Sequence, residues 1–309
     1  MIKTYKTFII IFLIVIFTLL FFLKKYNEII KKKQIDILVS NNIEFIHSEI
    51  SYQKKHALSL AILFSKNRNI IKALQYNQQE KIKNELETLL TTISNYTNLE
   101  NIQIQVHTKD LKVFFRSWEN KDEGLNLTSF RHGLVKVKKT KQPFVSNELG
   151  KRLNIKAISP IFQNDKYIGS LEVIMDYSSL KQKLKSAEIE MMPLLHNKFL
   201  NIATYHTKNK KIYDYVLIEK NYNKNLYNIL FHNKNILSQK KFYYEIDDTI
   251  ITLIPLGSYK NETTGYLLVS FKNTNQNFNY LPNYKYQGNF ASPVFEKENR
   301  SNKKNIIIK

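Results

Sequence analysis

The stretch "FRSWENKDEGLNLTSFRHG" at 115–133 concentrates residue types that the chain uses sparingly elsewhere. Of 47 lysines and arginines only five are arginine (Arg68, Arg116, Arg131, Arg152 and Arg300), and three of them fall within the 37 residues from 116 to 152. Trp118 is the only tryptophan. A guanidinium is a planar fork that grips a carboxylate through two parallel hydrogen bonds, and an indole can wall one side of a small pocket. Arg116 and Trp118 stand two residues apart, so on a strand they share one face while Phe115 points to the other. The chemistry this offers is recognition of an anion. Plainer roles stay open beside it: Arg116 can pair with Glu148 or Glu172 as a structural bridge, Trp118 can fill core or rim, and Gly124 and Gly150 read as backbone requirements of turns.

Bond-making chemistry finds no support. The seven histidines are scattered, with no His-x-His or His-Glu-x-x-His spacing, and no Gly-x-Ser-x-Gly elbow or Gly-rich phosphate loop occurs. Glu188 and Glu190 read as a solvated helix face. Cysteine is absent, which rules out disulfides, thiol catalysis and thiolate-held metals. The expectation is a non-enzyme without metal or cofactor. A net charge of +21 suggests nucleic acid at first, but the excess is lysine spread from end to end. Its short runs at 31–33, 136–141 and 208–211 lack the interleaved aromatics of a base-stacking groove. They read as solvated surface, and no nucleic-acid partner is expected.

The elements that must position these residues begin with "FIIIFLIVIFTLLFFL" at 8–23, uncharged, with Thr18 its one polar residue. Its sixteen residues are short for a span, but Tyr5, Tyr26 and snorkelling lysines extend it. "KKYNEIIKKK" follows where a cleavage site would need small residues, so the run reads as a transmembrane signal anchor. Lys24, Lys25 and Lys31 to Lys33 outnumber Lys3 and Lys6, against the positive-inside rule for an exported body. A long domain behind an N-terminal anchor is nonetheless usually exported. A single-pass plasma-membrane protein with its bulk periplasmic or extracytoplasmic is expected.

The pattern from Lys24 to about Ala73 is helical, with Ile43, Ile46, Ile50, Ala57, Leu60, Ala61 and Phe64 at three- and four-residue steps. A second helix covers about 78–96. The period then changes. "IQIQVHT" and "LKVFFRSW" form a hairpin turned at Lys109 and Asp110. A short helix at "SFRHGLVKVKKTKQ" and strands "FVSNEL", "NIKAISPIF" and "YIGSLEVIMDY" follow. A five-strand antiparallel sheet with a helix after its second strand is a PAS-like layout. "SSLKQKLKSAEIEMMPLLHNKFLNIATY" reads as a helical connection broken near Pro193. "YDYVLIE", a helix around 225–237, "KFYYEID", "TIITLIPLG" and "TGYLLVSF" complete a second module, whose last hairpin repeats that of the first. The fold class is α+β: a transmembrane helix, a long helix, then two tandem PAS-like modules with antiparallel sheets. The divisions are 1–7 (cytoplasmic), 8–23 (anchor), 24–98 (helical), 99–180 (membrane-distal module), 181–275 (membrane-proximal module) and 276–309 (polar tail).

This layout resembles the double Cache sensory domains of bacterial chemoreceptors and two-component sensor kinases. The elements that carry the resemblance are "FRSW" at 115–118, "GLNLTSFR" at 124–131, "KQPFVSNELGKR" at 141–152, "IKAISPIF" at 155–162 and "YIGSLEV" at 167–173. It extends from about Ala57 to Ser270, with the first half the specific part. Two positions depart from the family pattern: Lys156 stands where the family has arginine, and Asn126 where it has an acidic residue. Lys156 keeps the charge and loses the fork. The resemblance implies a small polar ligand, amino-acid-like or anionic, held in the distal module between the sheet and the segment after its second strand. Arg116, Trp118, Arg131 and Lys156 are the candidates for that pocket, with Asp176 as acceptor for a ligand ammonium. It also implies a homodimer or a partner receptor or kinase, since no second span, kinase segment or methyl-accepting coiled coil follows. The rival from another class is an envelope structural or adaptor protein that uses a Cache fold for protein contacts.

Overall fold

The computed structural model describes residues 2–97, 101–119, 122–238, 241–259 and 262–273, and side chains within these except 2–10 and 258–259. The polar tail from 276 lies outside the described residues. The structure is α+β, with one long helix followed by two antiparallel sheets. Two compact units divide the chain, Met1–Ser48 and Glu49–Lys309.

The first unit is the N-terminal part of α1 (Ile2–Ser65). Its large apolar side chains from Ile11 to Leu23 are 37–73 % exposed. Among the described residues no helix is long and apolar enough to cross a membrane. The expected span at 8–23 begins with three residues, 8–10, whose side chains lie outside the described set.

The second unit opens with the end of α1, then α2 (Arg68–Gln75) and α3 (Gln79–Tyr96). The uninterrupted helix expected to Ala73 stops instead at Ser65. Asn67 takes an extended conformation and its side chain accepts the N–H groups of Asn69 and Ile70 at 2.8 and 3.2 Å, capping a new helix. Its Nδ2 donates to Glu85 of α3 at 2.7 Å, which ties the two short helices together.

The first module contains β1 (Gln103–Thr108), β2 (Val113–Arg116), α4 (His132–Thr140), β3 (Phe144–Glu148), β4 (Asn154–Gln163) and β5 (Lys166–Met175). Its strands lie in the order β2-β1-β5-β4-β3, all antiparallel, as the PAS-like reading requires. Residues paired across an antiparallel ladder share a face. The register therefore sorts this sheet into two very different sides. Ile104, Val106, Leu171, Val173, Ile155 and Ala157 are apolar and fully buried on one side, where Ser65 of α1 meets Ser159 of β4 at 2.9 Å. The other side carries Arg116, Gln105 and Glu172 in one row and Gln103, Ile174 and Lys156 in the next. That second face is polar yet buried, and it is covered by α4 and the segment before it.

The second module contains α5 (Ser178–Ser186), β6 (Glu190–His196), β7 (Lys211–Ile212), β8 (Tyr215–Leu217), α6 (Lys224–His232), α7 (Asn235–Ser238), β9 (Tyr244–Ile246), β10 (Thr249–Tyr259) and β11 (Glu262–Lys272), with single 3-10 turns at Asn197–Phe199 and Thr204–His206. Its sheet order is β7-β8-β6-β11-β10-β9. The helical reading of 178–205 is corrected here: only α5 is helical, and "EMMPLLH" is strand β6 between β8 and β11. Proline is tolerated there because it sits past the end of β8. Pro193 carbonyl accepts from Ile218 N–H at 3.0 Å, and the Ile218 carbonyl that proline cannot serve accepts from Asn209 Nδ2 at 3.0 Å. The face that corresponds to the polar side of the first sheet is here an apolar core of Met192, Leu194, Leu217, Leu226, Leu230 and Leu268.

Candidate functional site

After β2 the chain makes a tight return. Asp122 and Gly124 both take positive φ (63° and 74°), and Gly124 meets nothing within 4 Å, so its role is conformational. The strand edge then receives the returning segment: Gly124 N–H donates to Val113 carbonyl at 2.9 Å, and Leu127 N–H to Leu111 carbonyl at 3.0 Å. Leu127 and Phe130 pack with Leu134 and Val137 of α4 on Val113 and Ile158. Asn126, one of the two departures from the family pattern, accepts Thr128 N–H at 2.9 Å and so shapes the turn.

This folding forms a partly open cavity of about 50 Å³ over the polar face of the first sheet. Arg116, Trp118, Arg131 and Lys156 all line it. Asp176 does not. Its carboxylate instead accepts Ser178 N–H at 3.0 Å at the start of α5. Among the lining residues that sequence reasoning missed are three charged side chains, Glu119, Lys151 and Arg152, and the phenol of Tyr205. Tyr205 is the one wall contributed by the second module.

Arg131 is 3 % exposed and tied on both sides. Its Nε donates to Glu148 Oε1 at 3.2 Å and its Nη1 to Glu172 Oε2 at 3.2 Å, while Nη2 closes the second arm of the fork on Glu172 Oε1. Glu148 also accepts Gly133 N–H at 3.1 Å. Burial alone would favour neutral arginine, but the two carboxylates overcome it and hold Arg131 charged. His107 borders Glu172 at 3.8 Å and stays neutral, because burial, and then Arg131, push its pKa well below the usual value. The structural bridge considered for Arg116 thus belongs to Arg131.

Arg116 serves a different set of acids. Its Nη1 donates to Glu119 Oε1 at 2.9 Å and to Asp122 Oδ2, and its guanidinium lies 5.5 Å from the Trp118 ring centroid. Glu119 is held from the other side by Tyr205, whose hydroxyl lies 3.0 and 2.7 Å from its two oxygens. Burial raises the pKa of Glu119, but the Tyr205 hydroxyl and the charges of Arg116 and Lys151 outweigh it and leave it lowered. Asp122 is lowered chiefly by its hydrogen bond from Lys151. Arg152 lies 4.6 Å over the Tyr205 ring, and its Nη1 reaches only Gln103 Oε1, at 3.5 Å.

Lys156 is 4 % exposed, and its Nζ donates to Arg152 carbonyl at 3.3 Å. Burial, reinforced by Arg131 and Arg116 and opposed by Glu172 and Glu148, lowers its pKa to about 7. Gly150 belongs to this site and not merely to a turn, since a Cβ there would stand 2.4 Å from Lys156 Nζ. Counted together, Arg116, Arg131, Lys151, Arg152 and Lys156 line the cavity against the single carboxylate of Glu119. Arg131 is neutralised from below by Glu172 and Glu148, and Arg116 and Lys151 share Asp122, whereas among the described residues Arg152 and Lys156 have no carboxylate partner within 4.0 Å. Among the described residues no group of three or more His, Asp or Glu could hold a metal ion.

The chain thus has two antiparallel sheets in tandem, the first with a polar cavity under its inserted segment. Residues 40–192 match the family described as "Double sensory domain of two-component sensor kinase". No curated protein matches the chain. Among solved structures, the sensor domain of the Vibrio cholerae histidine kinase DctB is similar, at 13 % identity over 77 % of this chain and 98 % of that one, TM-score 0.46. The sensory domain of the Campylobacter jejuni chemoreceptor Tlp3 is 13 % identical over 78 % of this chain and 96 % of that one, TM-score 0.42. The ligand-binding domain of the Pseudomonas aeruginosa PAO1 amino acid chemoreceptor PctC, in complex with GABA, is 10 % identical over 75 % of this chain and 95 % of that one, TM-score 0.38.

Proposed function

We propose that the protein is an extracytoplasmic, non-catalytic sensor that binds a small anionic ligand, an organic or amino acid, in the cavity of its first module. One observation carries this reading: five basic side chains line a cavity on a buried polar sheet face, and two of them, Arg152 and Lys156, have no carboxylate partner among the described residues. A fold that merely needed a core would fill that face with apolar side chains, as the second module does with Met192, Leu194 and Leu268. Arg116 is the proposed carboxylate anchor, Trp118 the wall beside it, Lys156 and Arg152 the charges available to a second acidic group, and Arg131 the support that keeps the sheet face in place. Asp176 is proposed for no ligand contact.

The exposed apolar side chains of Ile11–Leu23 support the anchoring role of residues 8–23, because a continuous exposed patch of this size is covered by lipid or by a partner. Output would pass to a partner receptor or kinase, with dimerisation through the long first helix. Thermal-shift screening of the full-length chain in detergent against amino and organic acids tests the ligand reading. A stabilising acid whose effect disappears in Arg116→Ala supports sensing. A broad panel without a hit, with a co-purifying membrane protein, would favour the adaptor role instead.

A further inference from the structure

A space of about 50 Å³ holds a few water molecules, not an organic acid. For a ligand to enter, something that lines the cavity must leave. Arg131 and Lys156 are buried and tied to the sheet, and Gln105 lies between strands with 2 % exposure. Glu119 is different. It follows β2 outside any regular element, and its partners are side chains alone, Arg116 on one side and the Tyr205 hydroxyl on the other.

We propose that Glu119 is a built-in carboxylate ligand that occupies the Arg116 site, and that a carboxylate of the ligand binds by exchanging with it. The assignment rests on the anion-binding reading above and adds to it how the site is held without ligand and how the second module senses exchange. The physical reason is charge. Arg116 is 6 % exposed and shares its cavity with four other basic side chains, and its second acid, Asp122, is shared with Lys151, so loss of Glu119 would leave it under-compensated while desolvated. A glutamate three residues away supplies that counter-ion at high effective concentration, and an incoming carboxylate replaces like with like. The pocket therefore stays balanced in both states, and the ligand class it selects is one with a carboxylate on a short aliphatic arm.

Exchange has a consequence for the second module. Tyr205 sits in the 3-10 turn Thr204–His206, and its hydroxyl bonds to Glu119 link that turn to the loop after β2. When Glu119 leaves Arg116, Tyr205 exchanges its acceptor for the ligand or for water, while its own N–H remains on Lys151 carbonyl at 3.1 Å. The first event felt beyond the distal module is then at Thr204–His206.

Trp118 supplies the readout, being the only tryptophan of the chain and lying 5.5 Å from the Arg116 guanidinium. Acetate and propionate are titrated into the full-length chain in detergent while tryptophan emission is followed. Glu119→Ala is expected to bind propionate about tenfold or more tightly than wild type, because the internal competitor is gone. The isosteric Glu119→Gln, which keeps the local packing, should gain about three- to tenfold, and Tyr205→Phe a smaller factor in the same direction. Adding Arg116→Ala to Glu119→Ala should abolish the response. Equal affinity of wild type, Glu119→Ala and Glu119→Gln, all lost with Arg116→Ala, would overturn the internal-carboxylate assignment and leave the anion site standing. No response from any of these chains, each shown folded by circular dichroism, would overturn both.

Discussion

Arg131→Leu separates the supporting arginine from the binding one. Glu172 and Glu148 have side-chain exposures of 0 and 9 %, and both accept from Arg131. Leucine fills much of the volume but leaves two buried carboxylates without their arginine, with neutral His107, the Gly133 N–H and the more weakly interacting Lys156 beside them. Breaking a buried pair from one side costs about 3–5 kcal/mol, a large share of the roughly 5–15 kcal/mol that holds a domain folded. With a urea m-value of about 2 kcal/mol/M the unfolding midpoint should fall by about 2 M. Urea unfolding of both chains at pH 7 measures this. A loss under about 1 kcal/mol would refute the placement of Arg131 as the central ion of a buried triad.

Other outcomes follow from the same site. Lys156 has a folded pKa near 7 against an ordinary 10.5, so the unfolded chain binds more protons between those values and stability should rise with pH across that window. Lys156→Met should lack this increment and be more stable than wild type at pH 6, as urea unfolding at pH 6 and 9 will show. An anion beside Lys156 raises its pKa, so binding should take up a proton near pH 7 to 8 and weaken above it, which calorimetry in buffers of different ionisation enthalpy detects. Gly150→Ala puts a methyl 2.4 Å from Lys156 Nζ and should cost about 1–3 kcal/mol while weakening ligand binding.

Much of the architecture could be read from local pattern. The two final hairpins, β4–β5 and β10–β11, announced themselves through alternating β-branched residues around short turns, and the sheet order of the first module followed from the PAS-like layout. Strand β6 was hidden because "EMMPLLH" has no alternation, is apolar from Met191 to Leu195 as a strand covered on both faces must be, and contains a proline. The stop at Ser65 was hidden because the Asn67 cap competes with a helical pattern that continues on either side. In the site, the rare residue types marked Arg116, Trp118 and Arg131, and the family pattern marked Lys156. The bridge was assigned to the wrong arginine for a geometric reason. Arg116 and Glu172 share a row, but Gln105 of β1 stands between them, two strand spacings or about 10 Å in all. Arg131, arriving from the covering segment, reaches over that gap. Glu119 looked like any loop acid, and Tyr205 comes from 86 residues further along in another module, so no local signal identified either one.

The indole N–H of Trp118 is the most direct probe of the central claim. It lies at the cavity wall next to Glu119 and gives the single indole resonance of the chain. When the nitrogen-15-labelled full-length protein is titrated with a panel of small organic and amino acids, that resonance should shift saturably for at least one carboxylate, and the shift should be absent in Arg116→Ala. An indole resonance unmoved by every acid of the panel, in a chain that remains folded, would contradict an anion site in the first module.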